Sequence, residues 1–244
     1  VEGGCGVRGW LGRRGDVPLP ARRRAREVIP EYQCDFNFVA KGFSHALKTP
    51  KASDMARLSK CARYIKGTMD YAVWLPREED AQALVGYGDS DWANDKVARK
   101  SVSSGVSFLG GCVVMDWIRN QSASARSSGE AEWYSHVALA SEGLHMKIII
   151  EFLLFDKKVG YRQYTDNTAA KAMWLQQKVL GGDLMILKLI GEDSPSYLGT
   201  KVHPRLTLDK LLIMNGIQDA ADIHTVKGTK IKKTSYVAAI AVDK

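Results

Sequence analysis

Three acids in this chain lie beside the starts or ends of regular elements: Asp89 after the apolar run 83–87, Glu132 in the first turn of a helical stretch, and Asp166 directly after Tyr164-Thr165. Groups at strand ends and helix starts of an α/β sheet face one cleft, so carboxylates distant in sequence can meet there. Carboxylate oxygens are hard ligands that suit Mg²⁺ with its retained waters. Two such ions about 4 Å apart would activate a water and stabilise a leaving oxygen in phosphodiester hydrolysis. The same residues also fit a plainer role: Glu132 favours a helix N-terminus electrostatically, and Asp166 can cap the helix after it. The close group Asp89, Asp91 and Asp95 is not a calcium loop, because the place that needs Gly holds Asn94 and the twelfth place holds Lys100. Neither a phosphate-binding G-x-x-x-x-G-K-S/T nor a nucleophile elbow G-x-S-x-G is present. The five histidines are scattered, and His136 reads as a surface residue.

The elements that must position these acids are read from patterning. Runs at 83–87, 102–109 and 112–118 read as strands, the last two joined by a Gly110-Gly111 hairpin turn. Ser127 and Glu130 form an S-x-x-E capping box that opens a helix, in which Trp133, Val137, Ala140, Leu144 and Ile148 line one face. A strand at 162–165, a helix at 168–180, a strand at 184–190 and a short helix at 207–215 stopped by Gly216 follow. The order β-β-β-α-β-α-β-α predicts an α/β fold with a mixed sheet covered by helices. Upstream, Met55, Leu58, Ala62 and Ile65 recur at helical spacing over 52–66, with Ser53 or Asp54 as the start cap and Gly67 at the end. Arg57, Lys60, Arg63 and Lys66 give that helix a basic face able to follow a phosphate backbone or simply to be solvated.

Composition bounds the rest. The chain has 244 residues, 45% hydrophobic and 25% charged, with 35 Lys+Arg against 27 Asp+Glu and hence a net charge of +8. These proportions exclude a wholly disordered protein. The richest apolar run, 148–155, is broken by Glu151 and is too short for the ~18 residues of a membrane span. No secretory signal is visible, and Cys5, Cys34, Cys61 and Cys112 match no metal spacing, so they read as reduced thiols of an intracellular protein. Residues 1–27 hold six Gly and seven Arg against three acids, which predicts a disordered leader; Arg22-Arg23-Arg24 is a solvated run or a phosphate-binding arm.

Several motifs in order carry a family resemblance. Gly86-Tyr87-Gly88-Asp89-Ser90-Asp91-Trp92-Ala93, Arg99-Lys100-Ser101 with Ser104-Gly105, Leu109-Gly110-Gly111, and Ser127-Ser128-Gly129-Glu130-Ala131-Glu132-Trp133 resemble the ribonuclease H domain of copia-type retrotransposon Pol polyproteins. Tyr164-Thr165-Asp166-Asn167 with Ala169-Ala170 resembles the same family's third acidic motif, and Leu198-Gly199-Thr200-Lys201 its closing segment. Ala40-Lys41, the 52–66 helix, Ile65-Lys66-Gly67-Thr68 and Asp70-Tyr71 resemble the end of the reverse transcriptase region and its connection. The resemblance spans about 31–217. It implies a leader at 1–30, a connection at 31–81, a ribonuclease H-like five-stranded mixed sheet with helices on both faces at 82–217, and a basic tail at 218–244.

By that resemblance the protein is a metal-dependent endonuclease that hydrolyses the RNA strand of an RNA–DNA hybrid. Asp89, Glu132 and Asp166 would hold Mg²⁺, or Mn²⁺ in its place. Ser127, Ser128, Arg99 and Lys100 would face the nucleic acid, the two serines near the minor groove where 2′-hydroxyls mark RNA. The remainder of a polyprotein would be its partner, with no membrane and a cytoplasmic or nuclear location. The paired aspartates of the polymerase are absent, so no polymerase activity is expected. Two departures stand out. The family's closing motif carries a fourth acid where this chain has Tyr197 in Ser194-Pro195-Ser196-Tyr197-Leu198, and a neutral phenol is a poor Mg²⁺ ligand. Residues that normally separate two helices are missing between Ala172 and Met173, although a fused 167–180 helix of about 21 Å still permits a crossover. Both departures suggest a decayed copy, and an inactive nucleic-acid-binding remnant is the alternative reading.

Overall fold

The computed structural model describes residues 34–47, 50–75, 81–95, 99–154, 157–166 and 173–219. The Arg/Gly-rich leader, nearly all of the basic tail and the shortened segment at 167–172 lie outside the described residues.

Five strands form the expected mixed sheet. In chain order β2 (Ala83–Asp95), β3 (Lys100–Leu109) and β4 (Cys112–Asn120) make an antiparallel meander, preceded by a short β1 (Tyr71–Val73). Gly110 and Gly111 turn β3 into β4 at φ 58° and 78°, a conformation that two L-residues with side chains would resist. Helix α3 (Ser128–Leu153) then crosses to β5 (Gly160–Thr165), and α4 (Met173–Leu180) leads to β6 (Met185–Lys188). The spatial order is β4-β3-β2-β5-β6, with β5 and β6 both parallel to their neighbours. Before the sheet stand α1 (Cys34–Ala46) and α2 (Ala52–Gly67). After it come 3₁₀ turns at Gly191–Asp193 and Pro195–Gly199, α5 (Arg205–Met214) and β7 (Ile217–Asp219).

Several expectations need correction. Strand β2 does not end at Tyr87 but continues to Asp95, so Asp89 lies within it. Ser127 caps α3 as expected, accepting from the Glu130 amide at 3.1 Å, but the Glu130 carboxylate reaches past the cap to the Arg126 amide at 2.7 Å. In α2 Asp54 works from inside the first turn, accepting from the Lys51 amide at 2.9 Å. Ile148 is not a core residue: it is 66% exposed. The rest of the expected face holds, with Ala140 in the buried core and Trp133, Val137 and Leu144 packed against it. Beside it runs a buried stripe of Ala131, Ser135, Leu139 and Gly143, whose small residues let the helix approach β2 closely, with Leu139 seated over Gly86 and Gly88. The apolar stripe of α2 is also uncovered, since Met55, Leu58 and Ile65 are exposed, and the helix packs instead through Tyr64, which contacts Phe36 and donates to Asp35 at 2.7 Å.

Two apolar clusters hold these layers. The larger, under α3, joins Leu84, Ala140, Ile150, Val159, Tyr161, Leu175 and Leu184. The smaller, formed by Leu198, Leu211, Leu212 and Ile217 with Cys34 and Tyr71 against it, ties the segment before the sheet to the segment after it. Strands β1 and β7 pair antiparallel in the same tie. Helix α1 lies on the opposite face of the sheet from α3, where Asn37 hydrogen-bonds to Asp116 of β4.

A methyl group added at Gly143 would fall 2.2 Å from the buried Tyr161 ring, so Gly143→Ala is expected to lower stability in urea unfolding by about 1–3 kcal/mol. Gly67 has nothing within 4 Å of such a methyl, and Gly67→Ala is expected to be neutral or stabilising by up to about 1 kcal/mol.

Candidate active site

Register brings two of the three acids level. Tyr87 of β2 pairs in parallel with Tyr164 of β5, and their rings stack 5.2 Å apart at 13°. Side chains repeat every second residue along a strand, so Asp89 and Asp166, each two residues further on, emerge on the face that carries the tyrosines. Asp89 is buried, 7% exposed, while Asp166 stands exposed just past the end of β5. Glu132 reaches the site from α3, one turn deeper in the helix than the sequence suggests. Its Oε1 accepts from the Ser90 hydroxyl at 2.9 Å and the Ser90 amide at 3.3 Å.

Burial and mutual repulsion govern the charges. Burial, opposed by the Thr200 hydrogen bond and the Lys201 charge, pushes the Asp89 carboxyl up to about 6, with Asp166 adding to the rise. Burial and then the charge of Asp89 push Glu132 up to about 8. Two buried carboxyls raised by burial and by neighbouring carboxylates need a compensating cation when ionised. Glu132 Oε2 is a buried oxygen without a hydrogen-bond partner, and such an oxygen fits a hard cation. Among the described residues, no three His, Cys, Asp or Glu side chains are gathered into a ready-made cation site.

Residues outside the expected set complete the surroundings. His136, read as a surface residue, is fully buried, and burial lowers its pKa to about 4. The Gln163 amide nitrogen lies 2.8 Å from its Nδ1, which assigns Nδ1 as acceptor and leaves Nε2–H 3.9 Å from Glu132 Oε2. Ser135 donates to the Asp89 carbonyl at 2.8 Å. Thr200, buried completely, donates to Asp89 Oδ2 at 2.5 Å. Its signal in the sequence is its place one residue before Lys201 in the closing motif. Tyr197 sits in the last 3₁₀ turn, where it packs on the smaller apolar cluster.

The residues expected to face nucleic acid share one end of the molecule. Ser127 and Ser128 are exposed at the start of α3, beside Trp92, whose indole donates to the Ala125 carbonyl at 3.0 Å. Arg99 is exposed at φ 52°, and Lys100 opens β3 opposite Asp95. Asp95 lies six residue steps along β2 from Asp89, about 20 Å of strand at 3.3 Å per residue.

No family model matches the chain. Over 180 residues, 66% of the chain, it is 26% identical to the retrovirus-related Pol polyprotein from transposon TNT 1-94 of Nicotiana tabacum. Over 108 residues, 44% of the chain, it is 28% identical to the corresponding polyprotein from transposon RE1 of Arabidopsis thaliana. These stretches make up 13% and 7% of the two relatives, so the chain spans a small part of either. The secreted RxLR effector protein 161 of Plasmopara viticola is 34% identical over 93 residues, 37% of this chain and 63% of that one. Among solved structures, the Mos1 transposase catalytic domain with raltegravir and Mg aligns with 62% of this chain and 81% of its own at 14% identity and a TM-score of 0.32. The chain is thus similar to a segment of retrotransposon Pol polyproteins. No helix among the described residues is long and apolar enough to cross a membrane.

The raised carboxyl pKa values have a definite stability signature. Between pH 6.5 and 8 folded Glu132 keeps a proton that the unfolded chain, titrating near 4.5, has lost, so stability falls as pH rises through this window. Below 6.5 neutral His136, with its pKa near 4, contributes a slope of the opposite sign that offsets the one from Asp89. In EDTA the Tm is therefore expected to fall by several degrees from pH 6.5 to 8, within the limit of about 1.4 kcal/mol per pH unit for one proton. Glu132→Gln is expected to flatten that fall, and a wild-type Tm independent of pH would show that Glu132 is already ionised.

Proposed function

We propose that the chain is the ribonuclease H-type domain of a copia-type retrotransposon Pol polyprotein, hydrolysing the RNA strand of RNA–DNA hybrids with the help of Mg²⁺ or Mn²⁺. The observation that carries this reading is that Asp89 of β2 and Glu132 of α3 are both held above their ordinary pKa by burial, with Asp166 at the end of β5 near enough to add to each rise. Similarity to Pol polyproteins supports it.

The three carboxylates are the residues that would hold the metal. A bound divalent cation supplies Lewis-acid polarisation of the phosphate and a lower pKa for an attacking water. The protein's own groups do the rest. Ser90 fixes the orientation of Glu132 and leaves its second oxygen unengaged. Thr200 fixes one oxygen of Asp89. Ser127 and Ser128 present hydroxyls at the start of α3, where exposed amides and the helix dipole favour a phosphate and the 2′-hydroxyl of RNA finds a partner. Arg99 and Lys100 add positive charge further along the hybrid.

Tyr197 favours a second reading, a decayed copy that binds hybrid without cutting it, because the position of the fourth acid carries a phenol. A labelled RNA–DNA hybrid incubated with the purified chain in Mg²⁺ and in Mn²⁺ decides between them. The enzyme reading expects cleavage of the RNA strand that drops more than about 100-fold in Asp89→Asn. Cleavage unchanged in that variant would place the site elsewhere. Binding without cleavage in either metal would establish the second reading.

A further inference from the structure

The closing segment meets the acids through residues that neither the resemblance nor the expected site assigns. Tyr197 occupies the position of the fourth acid, but Thr200 is the residue that reaches Asp89. The next residue, Lys201, is exposed and folds its ammonium back over Tyr197, with Nζ 4.7 Å from the ring centroid and 3.3 Å from the phenol oxygen. The ring seats the cation by its quadrupole and the hydroxyl accepts one of its protons. Lys201 is thereby held at the rim of the acid site. Partial burial lowers its pKa, but the Tyr197 hydrogen bond and the carboxylates Asp89 and Asp91 more than offset this, so it stays charged.

A cation so placed could simply neutralise the carboxylates. The geometry favours another role. The ammonium donates to the phenol, and Asp89 Oδ2 takes its hydrogen bond from Thr200 instead. Two of the three ammonium protons remain for a further acceptor. An acid cluster that works on a polyanion needs positive charge beside it, and the chain lacks the fourth acid that would help to hold a second ion.

We propose that Lys201, seated on Tyr197, is a phosphate-binding subsite of the acid site, with Tyr197 acting as the platform for a fixed ammonium. The inference rests on the reading of that site as a phosphodiester site. The subsite takes a non-bridging phosphate oxygen of the hybrid backbone, and no covalent step is involved.

Binding of a fluorescent RNA–DNA hybrid to the full chain in EDTA, where no cleavage occurs, tests it across a series of NaCl concentrations. Lys201→Ala is expected to weaken binding several-fold and to reduce the slope of log affinity against log salt by about one. Lys201→Arg should restore both, since it keeps the charge and the ring contact. Because Lys201 is exposed, its variants should stay folded with a Tm within a few degrees of wild type, and Tyr197→Phe, which keeps the ring, should bind within about twofold of wild type. Wild-type binding whose affinity and salt slope are unchanged in Lys201→Ala would overturn this inference and leave the proposed function standing. Failure of the wild-type chain to bind hybrid at all would overturn the proposed function, and the subsite with it.

Discussion

The parallel pairing of β2 with β5 fixes the height of everything at the site. A slip of one residue would turn Asp89 or Asp166 to the opposite face of the sheet, because side-chain direction alternates along a strand. The register is locked by the stacked rings of Tyr87 and Tyr164, with Phe108 edge-on to Tyr87 at 5.7 Å. On the other side of β2, the antiparallel ladder sets Ser104 opposite Asp89. Strand β3 is buried from Ser101 through Ser107 with only Ser, Val and Gly. Those small side chains let α3 approach one face while the last 3₁₀ turn docks on the other, where Ser104 donates to the Ser196 carbonyl at 2.6 Å. The same tight layering that delivers Glu132 from α3 thus delivers Thr200 from the far side.

Bringing acids together in a buried place costs stability, and the surrounding residues offset only part of it. Ser90 and Thr200 each engage one carboxylate oxygen, and Lys201 supplies the opposite charge. Glu132 Oε2 and His136 Nε2 remain 3.9 Å apart, too far for a hydrogen bond and each without another partner. A fold selected only for stability would fill that position with an apolar side chain, so the unrelieved carboxylate marks a candidate functional position.

Local rules made much of this legible from sequence. The Ser127 cap, the Gly110-Gly111 turn and the strand runs of β3 and β4 act over a few residues, and each appears where patterning puts it. What escaped depends on partners far along the chain. Strands β1 and β7 are three residues each and exist only because they pair with one another. The extension of β2 through Asp91 and Asp95 runs against the low strand propensity of Asp and is carried by pairing with β3 through an irregular register. Ile148 obeys the spacing of a core position, yet α3 outruns the sheet, and its last two turns leave Ile148 and Phe152 exposed. His136 lies on the packed side of α3 only because Gly88, with no side chain, makes room beside it. Thr200 lies in the closing motif, but its contact was not legible, since its partner Asp89 is 111 residues away.

The scaffold and the site are held by different residues. None of the three acids belongs to either apolar cluster, and the larger cluster lies on the α3 face of the sheet, whereas Asp89 and Asp166 emerge on the other. Tyr197 contributes to the smaller cluster through its ring, so a phenol at that position strengthens the packing that joins 34–75 to 198–219. A change from acid to tyrosine there removes a negative charge from the neighbourhood of Asp89 and adds apolar contact, both of which favour folding. A tyrosine at this position therefore keeps the closing segment packed and adds no negative charge beside Asp89. The fold thus does not depend on a charge at residue 197, and the closing segment, which touches both Asp89 and the smaller cluster, is where a change of side chain is most easily absorbed.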